Sequence, residues 1–315
     1  MDALADRVLR GERGATARAL SVIERKDAAA GPLLERLWPH TGRALRIGIT
    51  GAPGVGKSTL VDALCGELSA RRGKVGVIAV DPTSPFTGGA LLGDRIRMQR
   101  SGMRDDVFIR SMASRGRSGG LAPEASEAAD VLDAAGFGVV VIETVGVGQG
   151  EWDVAFEADL TVVVLAPGAG DGIQALKAGI MEVADLFCVN KADLPGAAAV
   201  RDDVEQALDL GERARGGKPP VLLVEAGSGR GSAELAARLF ELETALRQSP
   251  AFEARRREAL ARRLVARAAE RGARAARNAL ALRPAWFEDL VARRIGVDEA
   301  LRRLEAGRTE GGSGR

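Results

Sequence analysis

The stretch Gly51-Ala52-Pro53-Gly54-Val55-Gly56-Lys57-Ser58-Thr59 decides the fold. It fits the pattern GxxxxGK[ST] and lies between the apolar run Arg46-Ile47-Gly48-Ile49-Thr50 and a helix-compatible segment, Thr59 to Leu68. Strand, glycine-rich loop and helix, in that order, make a phosphate cradle. The glycines let backbone N–H groups turn into one cavity, and the following helix adds its positive end. The pattern assigns phosphate contacts to Gly51, Gly54, Val55, Gly56, Lys57, Ser58 and Thr59. Lys57 reaches the β- and γ-phosphates, and the Ser58 hydroxyl is a magnesium ligand.

Outward from this loop, short apolar runs alternate with helix-length stretches. The runs are Ile47 to Thr50, Val75 to Val80, Val107 to Arg110, Val139 to Ile142, Leu160 to Leu165, Leu186 to Val189 and Val221 to Val224. That alternation predicts an α/β fold, a mostly parallel sheet with helices on both faces. Residues 3 to 38 show helical apolar spacing, with Gly31-Pro32 expected as a break between two segments. After Gly231 the pattern is helical again, through 234–247, 250–280, 284–294 and 297–306. The expected organisation is a helical arm (1–42), a nucleotide-binding domain (43–247), a helical extension (248–306) and a disordered Gly/Ser tail (307–315).

Asn190-Lys191-Ala192-Asp193 follows the sixth apolar run, at a strand's carboxyl end. Alone it would read as a polar turn capping a helix. Downstream of a phosphate loop it reads as NKxD, in which a carboxylate accepts hydrogen bonds from guanine N1–H and the exocyclic amine. Adenine offers an acceptor there, so Asp193 selects guanine. Other polar clusters end other runs. Asp81-Pro82-Thr83-Ser84 and, beyond a glycine-rich loop, Asp94 offer magnesium-shell acids. Glu143 begins Glu143-Thr144-Val145-Gly146-Val147-Gly148-Gln149, where a phosphate-loop protein keeps the acid that holds magnesium. Each of these acids could also merely cap a helix. Lys57, Asp94 and Glu143 are the candidate catalytic groups, and no general base is evident.

Composition narrows the alternatives. In 315 residues, 45 basic and 43 acidic side chains give a formal charge of +2, so no overall field points to nucleic acid or an anionic membrane. The arginine-rich stretch 255–277 surrounds an apolar stripe without interleaved aromatics. A solvated or subunit-packing face is favoured there over a nucleic-acid footprint. No apolar run is long enough to span a membrane, and the amino terminus lacks the features of a signal or transit peptide, so a cytoplasmic location is expected. One histidine, His40, and two distant cysteines, Cys65 and Cys188, leave no zinc constellation and no Ser/His or Cys/His pair. Both cysteines are expected in the core. Only six of the basic residues are lysines, so a lysine used in place of arginine points to a position suited to a compact ammonium.

The segments VDPTSPFTGGALLGDRIRM (80–98), SRGRSGGLA (114–122), ETVGVGQ (143–149), PGAGDGIQALKAG (167–179) and VNKAD (189–193), in this order and spacing, resemble the MeaB family. These are GTPase chaperones of cobalamin-dependent methylmalonyl-CoA mutase. VLRGERGATARALSVIER (8–25) is similar to that family's helical arm, and the carboxy-terminal helices are similar to its dimerisation extension. The resemblance implies a homodimer that binds GTP or GDP with Mg2+ and leaves cobalamin to the partner enzyme. It places phosphate contacts at Lys57 and the neighbouring amides, magnesium contacts at Ser58, Asp81, Asp94 and Glu143, and guanine contacts at Asn190, Lys191 and Asp193. It also implies a third switch at Asp171, Gln174 and Lys177, although Lys177 also fits an exposed helix position. In the last base-binding loop the family's Ser-Ala reads Glu225-Ala226 here. Only the Ala226 amide is kept for guanine O6, and a buried Glu225 would be costly unless paired or turned outward. Two other classes stay open. A nickel metallochaperone GTPase is opposed by the scarcity of His and Cys, and a kinase acting on a transport protein by the absence of an evident acceptor site.

Overall fold

The computed structural model describes residues 2–81, 98–113, 123–144, 153–168, 180–210, 217–282 and 284–310. Three helices come first: α1 (Asp2–Leu9), α2 (Arg13–Glu24) and α3 (Ala30–Leu37). An alternating run follows: β1 (Leu45–Thr50), α4 (Lys57–Arg72), β2 (Val75–Asp81), α5 (Gln99–Gly102), β3 (Val107–Ala113), α6 (Pro123–Ala134) and β4 (Val139–Thr144). It continues through α7 (Val154–Glu157), β5 (Leu160–Leu165), α8 (Ile180–Val183), β6 (Leu186–Val189), α9 (Ala197–Leu210), β7 (Val221–Leu223) and α10 (Ser232–Arg247). The chain ends in α11 (Ala251–Leu282), α12 (Pro284–Val291) and α13 (Val297–Glu310).

The strands lie in the order β3-β2-β4-β1-β5-β6-β7, and every neighbouring pair is parallel. Parallel strands covered on both faces read as unbroken apolar runs. Accordingly, β4 and β5 are buried at every position. Alternate residues feed two cores. Val77, Val139 and Val141 pack with α4 and α10, whereas Ile78, Val140 and Ile142 pack with α1 to α3 and α6. Leu20, Ile23, Leu33 and Leu37 are essentially fully buried, so the first helices complete one face of the sheet.

The expected break at Gly31-Pro32 is not where the chain breaks. Both residues lie in the first turn of α3, where a proline removes only an N–H that has no intrahelical partner. The interruptions fall at 10–12, with Gly11 at φ 72°, and at 25–29, with Lys26 at φ 55°. Left-handed residues, not the proline, end these helices.

The chain divides into two compact units, Met1–Ala259 and Leu260–Arg315, with the boundary inside α11. In the second unit α12 packs on α13, and Leu264, Val265, Val291 and Val297 are exposed. Cys65 and Cys188 are buried in the first unit, as expected; burial pushes the Cys65 thiol up to about 12 and Cys188 higher still. Among the described residues no helix is long and apolar enough to cross a membrane.

Candidate functional site

The functional clusters converge because the strands are parallel. β1, β2, β4, β5 and β6 all point their carboxyl ends to one edge, and β1 lies between β4 and β5, where the strand order reverses. Ligands of open α/β sheets bind in the crevice at such a point. The loop 51–56 leaves β1 there and enters α4 with Gly51, Gly54 and Gly56 at φ 142°, 79° and 93°. A Cβ on Gly51 would sit 2.2 Å from the Val164 carbonyl oxygen of β5, so backbone packing alone excludes any side chain there.

Lys57 opens α4 and is buried, its Nζ donating to the carbonyl oxygens of Gly51 at 2.5 Å and Ala52 at 3.0 Å. The ammonium is thus held over the loop by the loop's own carbonyls. Ser58 Oγ donates to Glu143 Oε1 at 2.7 Å, joining the start of α4 to the penultimate residue of β4. Glu143 is 1% exposed. Beside it Thr144 Oγ1 donates to Thr50 Oγ1 at 3.3 Å, so the ends of β1 and β4 are also tied through hydroxyls.

The base motif is bonded to the phosphate loop itself. Asn190 Nδ2 donates to Val55 O at 2.9 Å, and Asn190 Oδ1 accepts from the Ala226 amide at 3.1 Å. Lys191, at φ 56°, donates from Nζ to Gly54 O at 2.8 Å. One carboxamide therefore bridges the loops after β1, β6 and β7. Asp193 lies exposed in the turn that follows. The Ala226 amide, expected on guanine O6, is spent on Asn190 here, so it would serve the base only by sharing that hydrogen. Glu225 is neither buried alone nor free in solvent, for its Oε2 lies 2.6 Å from an Arg230 guanidinium nitrogen.

Of the expected site residues, the structure brings together Lys57, Ser58, Glu143, Asn190, Lys191 and Ala226, with Gly51, Gly54, Val55, Gly56 and Thr59 around them. Asp81 is the last residue of β2 on the same edge. Asp94, Asp171, Gln174 and Lys177 lie outside the described residues. Sequence reading missed Arg230; the sequence signal was its place closing Glu225-Ala226-Gly227-Ser228-Gly229-Arg230, a glycine-rich span short enough to be a tight turn.

Residues 16–280 match the family model described as methylmalonyl Co-A mutase-associated GTPase MeaB. The chain belongs to the MeaB family. Members share GTP hydrolysis on a phosphate-loop fold, and this chain is a guanine-nucleotide-binding GTPase of that kind. It is 48% identical over 261 residues to a putative GTPase of Pyrococcus abyssi, covering 82% of this chain and 81% of the relative. It is 41% identical over 252 residues to GTPase ArgK of Escherichia coli, covering 77% and 76%. Among solved structures, one described as an LAO/AO transport system kinase superposes with a TM-score of 0.71 at 30% identity, over 98% of this chain and 97% of that one.

Proposed function

We propose that this GTPase is a chaperone of a cobalamin-dependent acyl-CoA mutase, methylmalonyl-CoA mutase or a close relative, whose cofactor loading and reactivation it gates. The observation that carries the client assignment is the match along residues 16–280 to a family described by its association with that mutase. Cobalamin stays with the client. Asp193 reads the guanine edge from the turn after β6, while Asn190 and Lys191 hold the base loop against the phosphate loop.

The donor set near the phosphates suits magnesium, since a hydroxyl and a carboxylate within 2.7 Å of each other are hard oxygen ligands. Ser58 and Glu143 would hold the ion, with Asp81 and Asp94 completing its shell. Bound magnesium would neutralise charge on the phosphates. Lys57 adds a second positive charge from a buried position, where it is worth more than in water. Without an evident base, intrinsic hydrolysis is slow, and the client accelerates it by acting through Asp94, Glu143 and the third switch, Asp171, Gln174 and Lys177. The extension beyond residue 248 forms the homodimer, a role supported by exposed Leu264 and Val265 on α11.

The test is GTP turnover with and without the purified mutase, using Lys57→Ala as the blank. Stimulation of at least tenfold is expected. An unchanged rate, together with unchanged nucleotide affinity, rules the client out. The transport-kinase reading, favoured by the description of one solved relative, predicts a phosphoprotein where the chaperone reading predicts inorganic phosphate.

A further inference from the structure

The turn after β7 holds the Ala226 amide on Asn190, yet its composition gives it little stiffness of its own. Three of the five residues 227–231 are glycines, and each glycine adds conformational freedom that ordering must overcome. What closes the turn is a set of contacts across its neck. Glu225 N donates to Arg230 O at 2.9 Å, Gly229 N donates to Glu225 O at 2.9 Å, and Ser228 Oγ donates to Glu225 O at 3.2 Å. Outside these lies the ion pair between Glu225 Oε2 and Arg230 at 2.6 Å, the Glu side chain 25% and the Arg side chain 69% exposed. The neck is anchored to the base motif by Val224 N on Val189 O and by Ala192 N on Val224 O.

A continuous path therefore runs from Arg230 to Glu225, through the adjoining Ala226 amide to Asn190, and from Asn190 to Val55 in the phosphate loop. We infer that Glu225 and Arg230 are a paired positioning element for the nucleotide: their ion pair staples the glycine-rich turn so that Ala226 keeps the Asn190 carboxamide aligned between base and phosphate loops. The inference rests on the guanine-site reading above and adds to it two residues that act through Asn190.

A partly exposed pair contributes modestly and is screened by salt, so each single loss speeds nucleotide release by about two- to fivefold. The experiment follows release of a fluorescent GDP analogue from the full chain in Glu225→Gln, Arg230→Gln, the double variant, and the exchanged pair Glu225→Arg with Arg230→Glu. Each single variant should release faster, the double no faster than either single, and the exchanged pair should recover at least half of the loss. KM for GTP should rise while kcat stays level. The ratio of GDP to IDP release should be unchanged, because the 2-amino group that distinguishes them faces Asp193. Release from the wild type should quicken with added KCl more steeply than that from the double variant, in which only the screening of phosphate binding remains, a comparison that holds even if the exchanged pair folds poorly. Unchanged release in the singles, or effects that simply add in the double, overturns the pairing. A lowered melting temperature with unchanged release also overturns it. If the wild type itself binds ADP as tightly as GDP, the guanine-site reading fails and takes the pairing with it, a failure visible before any variant is made.

Discussion

Replacing Gly56 by alanine tests the bond between the base motif and the phosphate loop. Gly56 sits at φ 93°, where an L residue costs about 1 kcal/mol. A Cβ there would lie 2.4 Å from Asn190 Nδ2, a separation no real pair adopts. The carboxamide could swing away, but only by giving up Val55 O and the Ala226 amide. Leaving that buried amide without a partner costs about 1–3 kcal/mol, so the whole penalty is about 2–4 kcal/mol. It must surface somewhere. If the loop keeps its shape, the penalty appears as lost folding stability; if the loop relaxes, it appears as roughly 30- to 1,000-fold weaker nucleotide binding. Urea unfolding and titration with a fluorescent GDP analogue, summed, should recover it. Gly54→Ala is the control. It has a similar φ of 79° and no protein atom within 4 Å of its Cβ, so in urea unfolding, where the phosphate contacts of this residue play no part, it should lose only the backbone strain. Equal losses in the two variants, or a combined loss in Gly56→Ala below about 1 kcal/mol, would refute the coupling through Asn190.

Three further outcomes are expected. Asp193→Asn should lose at least about 100-fold in GTP affinity and gain affinity for XTP, because the amide now offers a donor to the 2-oxo group; competition binding with both nucleotides checks it. Among the described residues, nothing hydrogen-bonds the Thr161 hydroxyl, which is fully buried in β5. Thr161→Val should therefore raise stability by about 1 kcal/mol in urea melts. Asp106 is held down to about 2 chiefly by its hydrogen bond to Arg104. A depressed carboxylate stabilises the fold above its unfolded pKa and loses that contribution as pH falls through the folded value. Asp106→Asn should thus cost stability near neutrality, by only about 0.5 kcal/mol since the pair is well exposed, and the cost should fade between pH 4 and 2.

How much of this was legible in the sequence depends on how local each cause is. The strands could be read because burial on both faces leaves runs such as Val139 to Ile142 with no polar residue, and the clusters ending those runs had to share one edge once the strands were parallel. Lys57, Ser58 and the NKxD segment could be read because each needs a fixed residue type at a fixed spacing. The bridge through Asn190 could not, since it joins residues 135 positions apart and exists only because the sheet sets β1, β5 and β6 side by side. α6 makes the same point about charge. Glu124, Glu127, Asp130 and Asp133 recur every three residues and would pass for a solvated stripe, yet all four are buried. Burying carboxylates is costly unless they are paired, and here the partners come from elsewhere in the chain. Lys26 meets Glu124, Arg46 meets Asp130, and Asp133 accepts the amides of Gly42, Arg43 and Ala44. The acids therefore face the seam where the first helices and the entry to β1 join the sheet's flanking helix. A spacing pattern can identify such a face, but only the fold shows whether water or protein covers it.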